Sequence, residues 1–199
     1  MNFDFSLDPF EQFQKQLSIA EAQGIPEPNA MSLATSSKEG EPSVRTVLFK
    51  GLVRKGFSFY TNYNSPKSEN LISNPKASIL FFWPVMAQQI RIIGSVDQLT
   101  REESEAYFNT RPRLSQLGAW ASDQSQKISN LDDLAKKVEE LDKKYANQPV
   151  PCPSNWGGFR LVPREFEFWF GKQGRLHERY IYQNDSNQKD GWNRFMRSP

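Results

Sequence analysis

Short runs of β-branched and aromatic residues fill most of the sequence between Ala30 and Leu99. Turn-forming stretches such as KEGEP and RKG separate these runs. Similar runs return after Trp156 in GGFRLV, EFEFWF and LHERYIY, and these late strands must rejoin the earlier sheet to bury their aromatic side chains. The sequence therefore predicts a mainly β fold with flanking helices, in which a small barrel is the simplest way to close the sheet.

Four helices are predicted beside these strands. Asp8-Pro9 and Ser65-Pro66 each place a capping residue before a proline at the first helical position, and Thr100 to Glu103 is a capping box. A further start at Ser129 precedes apolar residues at helical spacing. The predicted helices cover about 8–24, 65–74 and 100–108, and the last runs from Ser129 to about residue 141.

Length and composition favour one folded domain over residues 1–199, because 37% of the residues are hydrophobic and 13% are aromatic. The formal net charge is only +2, with no run of like charge, so nucleic acid is not expected as a partner. A single cysteine, Cys152, leaves no intrachain disulfide, and no apolar stretch approaches the roughly 20 residues that a bilayer requires. We therefore expect a cytoplasmic protein that does not enter a membrane.

Familiar catalytic motifs are absent from the sequence, which contains no GxGxxG, Walker, GxSxG or HExxH pattern. With one histidine and one cysteine, metal and hydrolytic sites are both disfavoured, and no metal is expected. What remains is a set of cations beside hydroxyl side chains, a combination that holds phosphate where no glycine-rich loop is present. Three segments have this character.

The first segment is RTVLFK, which runs from Arg45 through Thr46, Val47, Leu48 and Phe49 to Lys50. On a regular strand its two cations face opposite sides and would serve different sites, unless a bulge redirects one of them. The alternative is that both are solvated charges near strand ends.

The second segment contains Tyr107, Arg111 and Ser115, which a continuous helix would align on one side as three donors for a phosphate dianion. Pro112 is expected to break that helix, so the alignment is approximate. A buried tyrosine beside a surface arginine is the alternative interpretation.

The third segment holds the only histidine, His177, which period-two alternation would place on one strand face with Arg175 and Arg179. Such clustering of cations is costly unless an anion binds there. A purely structural histidine is the alternative interpretation.

Two further features suit a planar ring. Gln124-Ser125 supplies amide and hydroxyl donors in a polar loop, and Trp169 ends a very aromatic strand. Because aromatic strand residues are core more often than ligand wall, the residues by themselves point only to a phosphorylated, planar ligand.

Seven segments together resemble the pyridoxamine 5′-phosphate oxidase family, over nearly the whole chain from about Asp8. They are RTVLFKG, FYTN, NPKASILFFW, YFNTRPRLSQLGAWASDQS, WGGFR, EFWFG and RLHERYIY. The resemblance implies a split β-barrel homodimer with FMN at the subunit interface, in which strands of about 156–199 complete the barrel and the dimer region. The implied reaction oxidises pyridoxine or pyridoxamine 5′-phosphate to pyridoxal 5′-phosphate while O2 becomes H2O2.

The same resemblance implies roles for individual residues. The family's FMN-binding positions correspond to Arg45, Thr46, Val47, Leu48, Phe49, Lys50, Tyr60, Thr61, Lys67, Gln89, Gln124, Ser125, Trp169 and Arg179. The positions that grip the substrate phosphate correspond to Lys50, Tyr107, Arg111 and Ser115. Arg175 and His177 match the family's active-site pair over the substrate ring.

Two other functions stay open at this point. A related flavin oxidase of the phenazine-pathway type would act on a different ring, and a non-catalytic protein would bind FMN or pyridoxal phosphate without turnover. A departure from the family pattern bears on the second, since Pro66 stands before Lys67 where the family commonly has another basic residue.

Overall fold

The computed structural model describes residues 3–128 and 130–199, and the strands in these residues form one antiparallel sheet. The strands are β1 (Ala30–Ser36), β2 (Pro42–Leu48), β3 (Leu52–Val53), β4 (Gly56–Asn62), β5 (Lys76–Trp83), β6 (Gln88–Gln98), β7 (Trp156–Phe170), β8 (Glu178–Asn184) and β9 (Trp192–Met196). The helices are α1 (Pro9–Ala22), α2 (Pro66–Ser73), α3 (Arg101–Thr110), α4 (Arg113–Ala121) and α5 (Leu131–Lys144). The predicted mainly β fold with flanking helices is confirmed.

The long strand β7 organises the sheet, whose order is β2-β1-β5-β6-β7-β4-β3. One side of β7 pairs with β6 along its length, while the other side pairs first with β4 and then with β8, which in turn pairs with β9. The change of partner falls at Pro163, near a shift in the β6–β7 register at Ile93 and Gly94. A side chain at Gly94 would meet the Val162 carbonyl oxygen at 2.0 Å, so this bulge requires glycine. The late strands therefore rejoin the early ones, as the aromatic pattern predicts.

Helix α1 covers the aromatic core between the strands. Asp8 caps the helix by accepting a hydrogen bond from the Phe10 backbone N–H at 2.9 Å, and Pro9 follows at the first position. Phe13 is fully buried, with its ring centroid 4.8 Å from that of Phe57 and 4.9 Å from that of Phe81. Burial of each such ring contributes about 1.5–3 kcal/mol, so the amphipathic face of α1 fixes the helix on the sheet.

The predicted starts of α1, α2 and α3 are confirmed, whereas the predictions for the later helices were incomplete. The capping box at Thr100 opens α3, but this helix ends at Thr110, and α4 was not predicted as a separate helix. Helix α5 begins at Leu131 with Asn130 as its cap, and the predicted start at Ser129 lies outside the described residues. Among the described helices, none is both long and apolar enough to cross a membrane.

Candidate functional site

A cavity of about 500 Å³ opens between the end of β2, the body of β4, the start of α2 and the junction of α3 with α4. The sequence-predicted residues that line this cavity are Thr46, Val47, Leu48, Lys50, Tyr60, Thr61, Lys67, Tyr107, Arg111, Ser115 and Gln124. We refer to these residues as the cavity group. Thr110, Pro112 and Trp156 line the same cavity and were not predicted as site residues.

The α3–α4 junction brings three predicted donors to one wall of the cavity. Arg111 leaves α3 in an extended conformation, with φ of −73° and ψ of 148°, because a residue before proline is disfavoured in helical geometry. Pro112 then caps α4, and its carbonyl oxygen accepts from the Ser115 backbone N–H at 2.8 Å. The helix breaks as expected, yet Tyr107, Arg111 and Ser115 still converge on the cavity.

Within the part of the chain that the structure describes, Arg111 is a cation without a counter-ion. Its guanidinium carbon lies 4.7 Å from the Trp156 ring centroid and 5.6 Å from that of Phe108. One terminal nitrogen is buried without a hydrogen-bond partner, and no carboxylate in the described part of the chain forms an ion pair with this side chain. Burial lowers the pKa of Arg111, as expected for a charge removed from water and left unneutralised. The guanidinium is therefore available to an anionic ligand.

Tyr60 belongs to an aromatic stack that supports this wall. Its ring lies 3.9 Å from that of Tyr107 at an interplanar angle of 16°, and 5.5 Å from that of Trp156 at 11°. The stack requires glycine at position 158, because a Cβ there would come within 2.8 Å of Tyr60 and 2.5 Å of Leu99. Burial, assisted by the neighbouring Tyr107, raises the pKa of Tyr60 to about 12, so its phenol remains protonated at neutral pH.

Lys67 lies at the start of α2 among neutral oxygens. Its Nζ donates to Thr61 Oγ1 at 3.1 Å, to Ser65 Oγ at 2.9 Å and to Gln124 Oε1 at 3.1 Å. Burial, followed by repulsion from Arg45, lowers the pKa of Lys67 to about 8. The Ser65 hydroxyl makes no capping hydrogen bond, and the positive end of the α2 helix dipole lies at the same place.

Arg45 does not line the cavity. Its guanidinium donates to the Leu33 carbonyl oxygen at 3.1 Å, to Thr35 Oγ1 at 2.8 Å and to the Ser43 hydroxyl. These acceptors are neutral, so among the described residues neither Arg45 nor Lys67 has a carboxylate partner. The potential at this end of the cavity therefore favours an anion.

Other predicted residues form a second group on the sheet, which we call the sheet group: Gln89, Trp169, His177 and Arg179. Gln89 and Arg179 are the cross-strand partners of Trp169 on either side of it, so the three share one face. The His177 ring centroid lies 4.6 Å from that of Trp169. None of the four belongs to the cavity lining described above.

The predicted alternation of Arg175, His177 and Arg179 on one strand was wrong. Residues Gln173–Arg175 form a 3₁₀ turn, and β8 begins only at Glu178. Gly174 and Arg175 have φ of 65° and 60°, which reverses the chain before the strand starts. Arg175 is exposed, and His177 reaches Trp169 from this turn and not from a strand.

Arg179 has a carboxylate partner within the protein, Glu167, which Arg197 also contacts at 3.3 Å, contrary to the expectation that an anionic ligand is needed. Its Nε donates to Glu167 at 2.7 Å, and Arg91 donates to the same carboxylate at 2.5 Å. Burial opposes ionisation of Glu167, but the hydrogen bonds from Arg179 and Arg91 outweigh it and hold the pKa of this carboxyl below its usual range. Glu167 was not singled out from the sequence, because only the β6–β7–β8 register brings the two arginines to it.

Two other predicted residues lie outside both groups. Phe49 is buried in the core, with its ring centroid 5.4 Å from that of Phe13. Ser125 is exposed in the loop after α4 with a φ of 70°.

Comparison with known families gives two matches that divide the chain. A sequence model described as pyridoxamine 5′-phosphate oxidase matches residues 18–145. A second, described as the pyridoxine 5′-phosphate oxidase C-terminal dimerisation region, matches residues 156–199. The first range contains the cavity group and the second contains most of the sheet group.

Individual relatives agree with these matches. A pyridoxine/pyridoxamine 5′-phosphate oxidase of Bdellovibrio bacteriovorus is 51% identical over 99% of this chain and 100% of its own length. The enzyme of the same name from Nostoc punctiforme is 46% identical over 92% of this chain and 86% of its own. Among solved structures, PhzG from Burkholderia lata in complex with tetrahydrophenazine-1-carboxylic acid has a TM-score of 0.90 at 30% identity, covering 96% of this chain and 93% of its own. An FMN-binding protein of Nostoc punctiforme has a TM-score of 0.77 at 17% identity over 98% and 100%, which supports the fold alone.

Proposed function

The chain belongs to the pyridoxamine 5′-phosphate oxidase family, and from this membership we propose that it oxidises pyridoxine or pyridoxamine 5′-phosphate to pyridoxal 5′-phosphate with FMN and O2. The alcohol and one O2 give the aldehyde and H2O2. The amine, one O2 and one water give the aldehyde, ammonia and H2O2. The observation that carries the proposal is the unneutralised Arg111 guanidinium, whose buried nitrogen lacks a partner beside Tyr107 and Ser115.

The substrate phosphate is gripped by four residues of the cavity group. Arg111 contributes the charge and the directional N–H groups, and Lys50 adds a second charge from the segment after β2. Tyr107 and Ser115 contribute neutral donors from the two helices. The aromatic stack behind Tyr107 restricts its rotation, so these donors are positioned before the substrate arrives.

The other end of the cavity fits the phosphate of FMN. Lys67, with Arg45 behind it and the start of α2 beside it, provides positive potential that has no carboxylate partner in the described residues. Pro66 is compatible with this role, because a proline at the first helical position removes a backbone N–H that is not needed for the helix. Bound FMN supplies the electron acceptor for the hydride from substrate C4′.

We further propose that the active site is shared between two copies of the chain. The cavity group lies within residues 18–145, whereas Trp169, Arg175, His177 and Arg179 lie in the segment that matches a dimerisation region. In a homodimer the sheet group of one protomer would face the cavity of its partner. Arg175 and His177 would then orient the C4′ substituent, and Trp169 and Gln89 would hold the flavin ring.

Turnover is the first test. The purified protein should be yellow, release FMN on denaturation, and consume O2 while forming H2O2 with pyridoxine 5′-phosphate. A colourless protein that FMN cannot reconstitute would contradict the proposal. Tight FMN binding without peroxide from either vitamer would instead support a non-catalytic binding protein.

Complementation tests the shared site. Arg111→Met damages the cavity group and His177→Asn damages the sheet group. In a mixed dimer of the two variants, one site combines both damaged groups, and the other combines the intact cavity group of one protomer with the intact sheet group of its partner. At substrate concentrations well below KM, the intact sites alone should add about a quarter of wild-type activity to the residual activity of the parent variants, because half of the randomly paired dimers are mixed and each has one intact site of two. Arg111→Met mixed with Ser115→Ala is the control, since both changes lie in the same half and no site is intact. A mixture of Arg111→Met and His177→Asn that shows no gain over the mean of its two parents, like the control mixture, would refute a shared site.

A second candidate function rests on the similarity to PhzG, whose structure contains a tetrahydrophenazine carboxylic acid. An oxidase of that type would act on a larger ring without phosphate. A panel of phosphorylated vitamers, unphosphorylated vitamers and reduced phenazine carboxylates separates the two. The unpaired cation at Arg111 favours the phosphorylated substrates.

A further inference from the structure

The imidazole of His177 is held on two sides by its own protomer. Its ring packs on Trp169, with centroids 4.6 Å apart and the planes inclined at 41°. Its Nδ1 accepts a hydrogen bond from the Lys172 backbone N–H at 3.2 Å. The remaining polar atom, Nε2, is therefore the one through which His177 can contact a ligand.

The turn between β7 and β8 builds this arrangement. The Gly171 N–H donates to the Ala87 carbonyl oxygen at 2.7 Å, which anchors the start of the turn to the segment before β6. The left-handed conformations of Gly174 and Arg175 then bring the chain back, so that His177 meets Lys172 five residues earlier. The Lys172 side chain makes an ion pair with Glu178 at 3.1 Å, which ties the two sides of the turn together.

A backbone N–H can only donate a hydrogen bond, and this determines which nitrogen of the neutral imidazole carries the proton. Nδ1 must carry a lone pair to accept from Lys172, so the proton of the neutral imidazole lies on Nε2. Since that lone pair is already engaged and Nε2 carries the proton, the ring has no free lone pair with which to take a proton from substrate.

We propose that the Lys172 backbone amide is a positioning group that holds His177 as the Nε2–H tautomer, making His177 a hydrogen-bond donor to substrate and not its general base. The inference rests on the proposed oxidase function. In the reaction, the C4′–H bond breaks as hydride passes to the flavin, and a C4′ double bond to oxygen or nitrogen forms. The proton lost from the C4′ hydroxyl or amine goes to solvent, while Nε2–H of His177 donates to a lone pair of the substrate.

The tautomer can be observed directly, because the chain contains one histidine. The FMN-loaded protein, prepared without a histidine tag and labelled with ¹⁵N-histidine, should give one imidazole spectrum, recorded with and without pyridoxal 5′-phosphate. We expect a protonated Nε2 and an unprotonated Nδ1 in both states. A proton on Nδ1 would overturn the proposal, and because the readout requires no turnover, this failure is distinct from failure of the oxidase function.

Variants of Lys172 test whether its backbone is responsible. Lys172→Ala removes the ion pair with Glu178 but keeps the N–H, so the Nε2–H tautomer should persist. Lys172→Pro removes the donor, and protonation of Nδ1 should then become detectable. Persistence of a pure Nε2–H tautomer in a folded Lys172→Pro protein would refute the role of the amide.

Two substitutions of His177 test the donor role and do not depend on folding of the proline variant. A glutamine amide can present N–H near the position of Nε2, whereas an asparagine amide reaches only the position of Nδ1. Loss of a neutral hydrogen bond corresponds to about a 2- to 12-fold lower kcat/KM, so His177→Asn should fall by this amount and His177→Gln by less. Equal losses, together with disappearance of an acidic limb of the wild-type kcat profile in both variants, would identify a general base and refute the proposal.

Discussion

Replacing Arg111 with methionine should weaken binding of phosphorylated substrates while leaving the ligand-free protein folded. Methionine keeps apolar contact with the Trp156 and Phe108 rings that the guanidinium now covers. The change also removes a half-buried charge that has no carboxylate partner in the described residues. Binding and stability should therefore respond differently to the same substitution.

The size of each effect follows from the contacts. A hydrogen bond between a guanidinium and a phosphate contributes about 1.5–3 kcal/mol, which corresponds to a rise in KM of roughly 12- to 150-fold. Losing the cation–π contacts costs about 0.5–1 kcal/mol, and this is offset by removing the buried unpaired charge. The free energy of unfolding of the ligand-free protein should thus change by less than about 1 kcal/mol.

The assay compares Arg111→Met with Arg113→Met, a neighbouring arginine outside the cavity. Arg113 pairs with Asp142 at 2.8 Å and donates to the Tyr145 carbonyl oxygen at 3.0 Å, which links α4 to the end of α5. Arg113→Met should lower the melting temperature and leave KM for pyridoxine 5′-phosphate unchanged, the opposite of Arg111→Met. Unphosphorylated pyridoxine should react equally slowly with the wild type and Arg111→Met.

Two results would refute this reasoning. An unchanged KM for pyridoxine 5′-phosphate in Arg111→Met would remove Arg111 from the phosphate site. An equal rise in KM for pyridoxine would show that the substitution distorts the whole cavity, including the stack that Tyr107 forms with Tyr60, and does not remove a phosphate contact.

Four further predictions concern other parts of the site. Burial, and then repulsion from Arg45, lower the pKa of Lys67 to about 8, so FMN affinity should fall as pH rises through about 8. Calorimetry should show proton uptake when FMN binds. Riboflavin has no phosphate, so its affinity should not depend on pH in this way. In the ligand-free protein the same shift destabilises the charged form, so stability should rise between about pH 8 and 10.5, and Lys67→Met should abolish that rise in urea unfolding. Gly158→Ala should cost about 1–3 kcal/mol in urea unfolding and raise KM, because its Cβ would come within 2.8 Å of Tyr60. Arg175→Asn should lower kcat without lowering the melting temperature, since asparagine tolerates the left-handed φ of 60° better than arginine. A lower melting temperature would show instead that the Arg175 side chain supports the turn.

Local patterns were sufficient to predict most, but not all, of the helices and strands. The capping signals at Asp8 and Thr100 mark the real starts of α1 and α3, because a cap depends on residues within one turn of the chain. Helix α4 was missed because Pro112 suggested an end and gave no sign that a second helix begins at once. The turn at Gln173–Arg175 was missed because the period-two alternation of side chains continues in the sequence through a segment that is not a strand.

Site residues that depend on distant parts of the chain were harder to predict. Trp156 lies 45 residues from Arg111 in sequence, yet its ring supports the guanidinium, and only the packing of β7 behind α3 reveals it. Glu167 was likewise missed, because its buried carboxylate is explained by Arg91 and Arg179 on neighbouring strands and by Arg197 after β9. A polar residue inside an aromatic strand such as EFEFWF is the sequence signal that could have identified it.

The cavity group and the sheet group differ in whether their cations have carboxylate partners, and this difference suits them to different roles in the proposed function. In the described residues, Lys67 and Arg111 have no carboxylate partner, so a phosphate-bearing ligand relieves an existing penalty and stabilises the fold by about 2.7 kcal/mol at one hundred times its dissociation constant. Arg179 is paired with Glu167, which it shares with Arg91 and Arg197, so in the part of the chain that the structure describes the sheet group has a carboxylate partner where the cavity group has none. Under the proposed function, the cavity group would therefore supply affinity through the phosphates, and the sheet group, through Trp169 and His177, would discriminate among rings by shape and hydrogen bonding. Substitutions in the cavity group should accordingly change KM most, and those at His177 should change kcat.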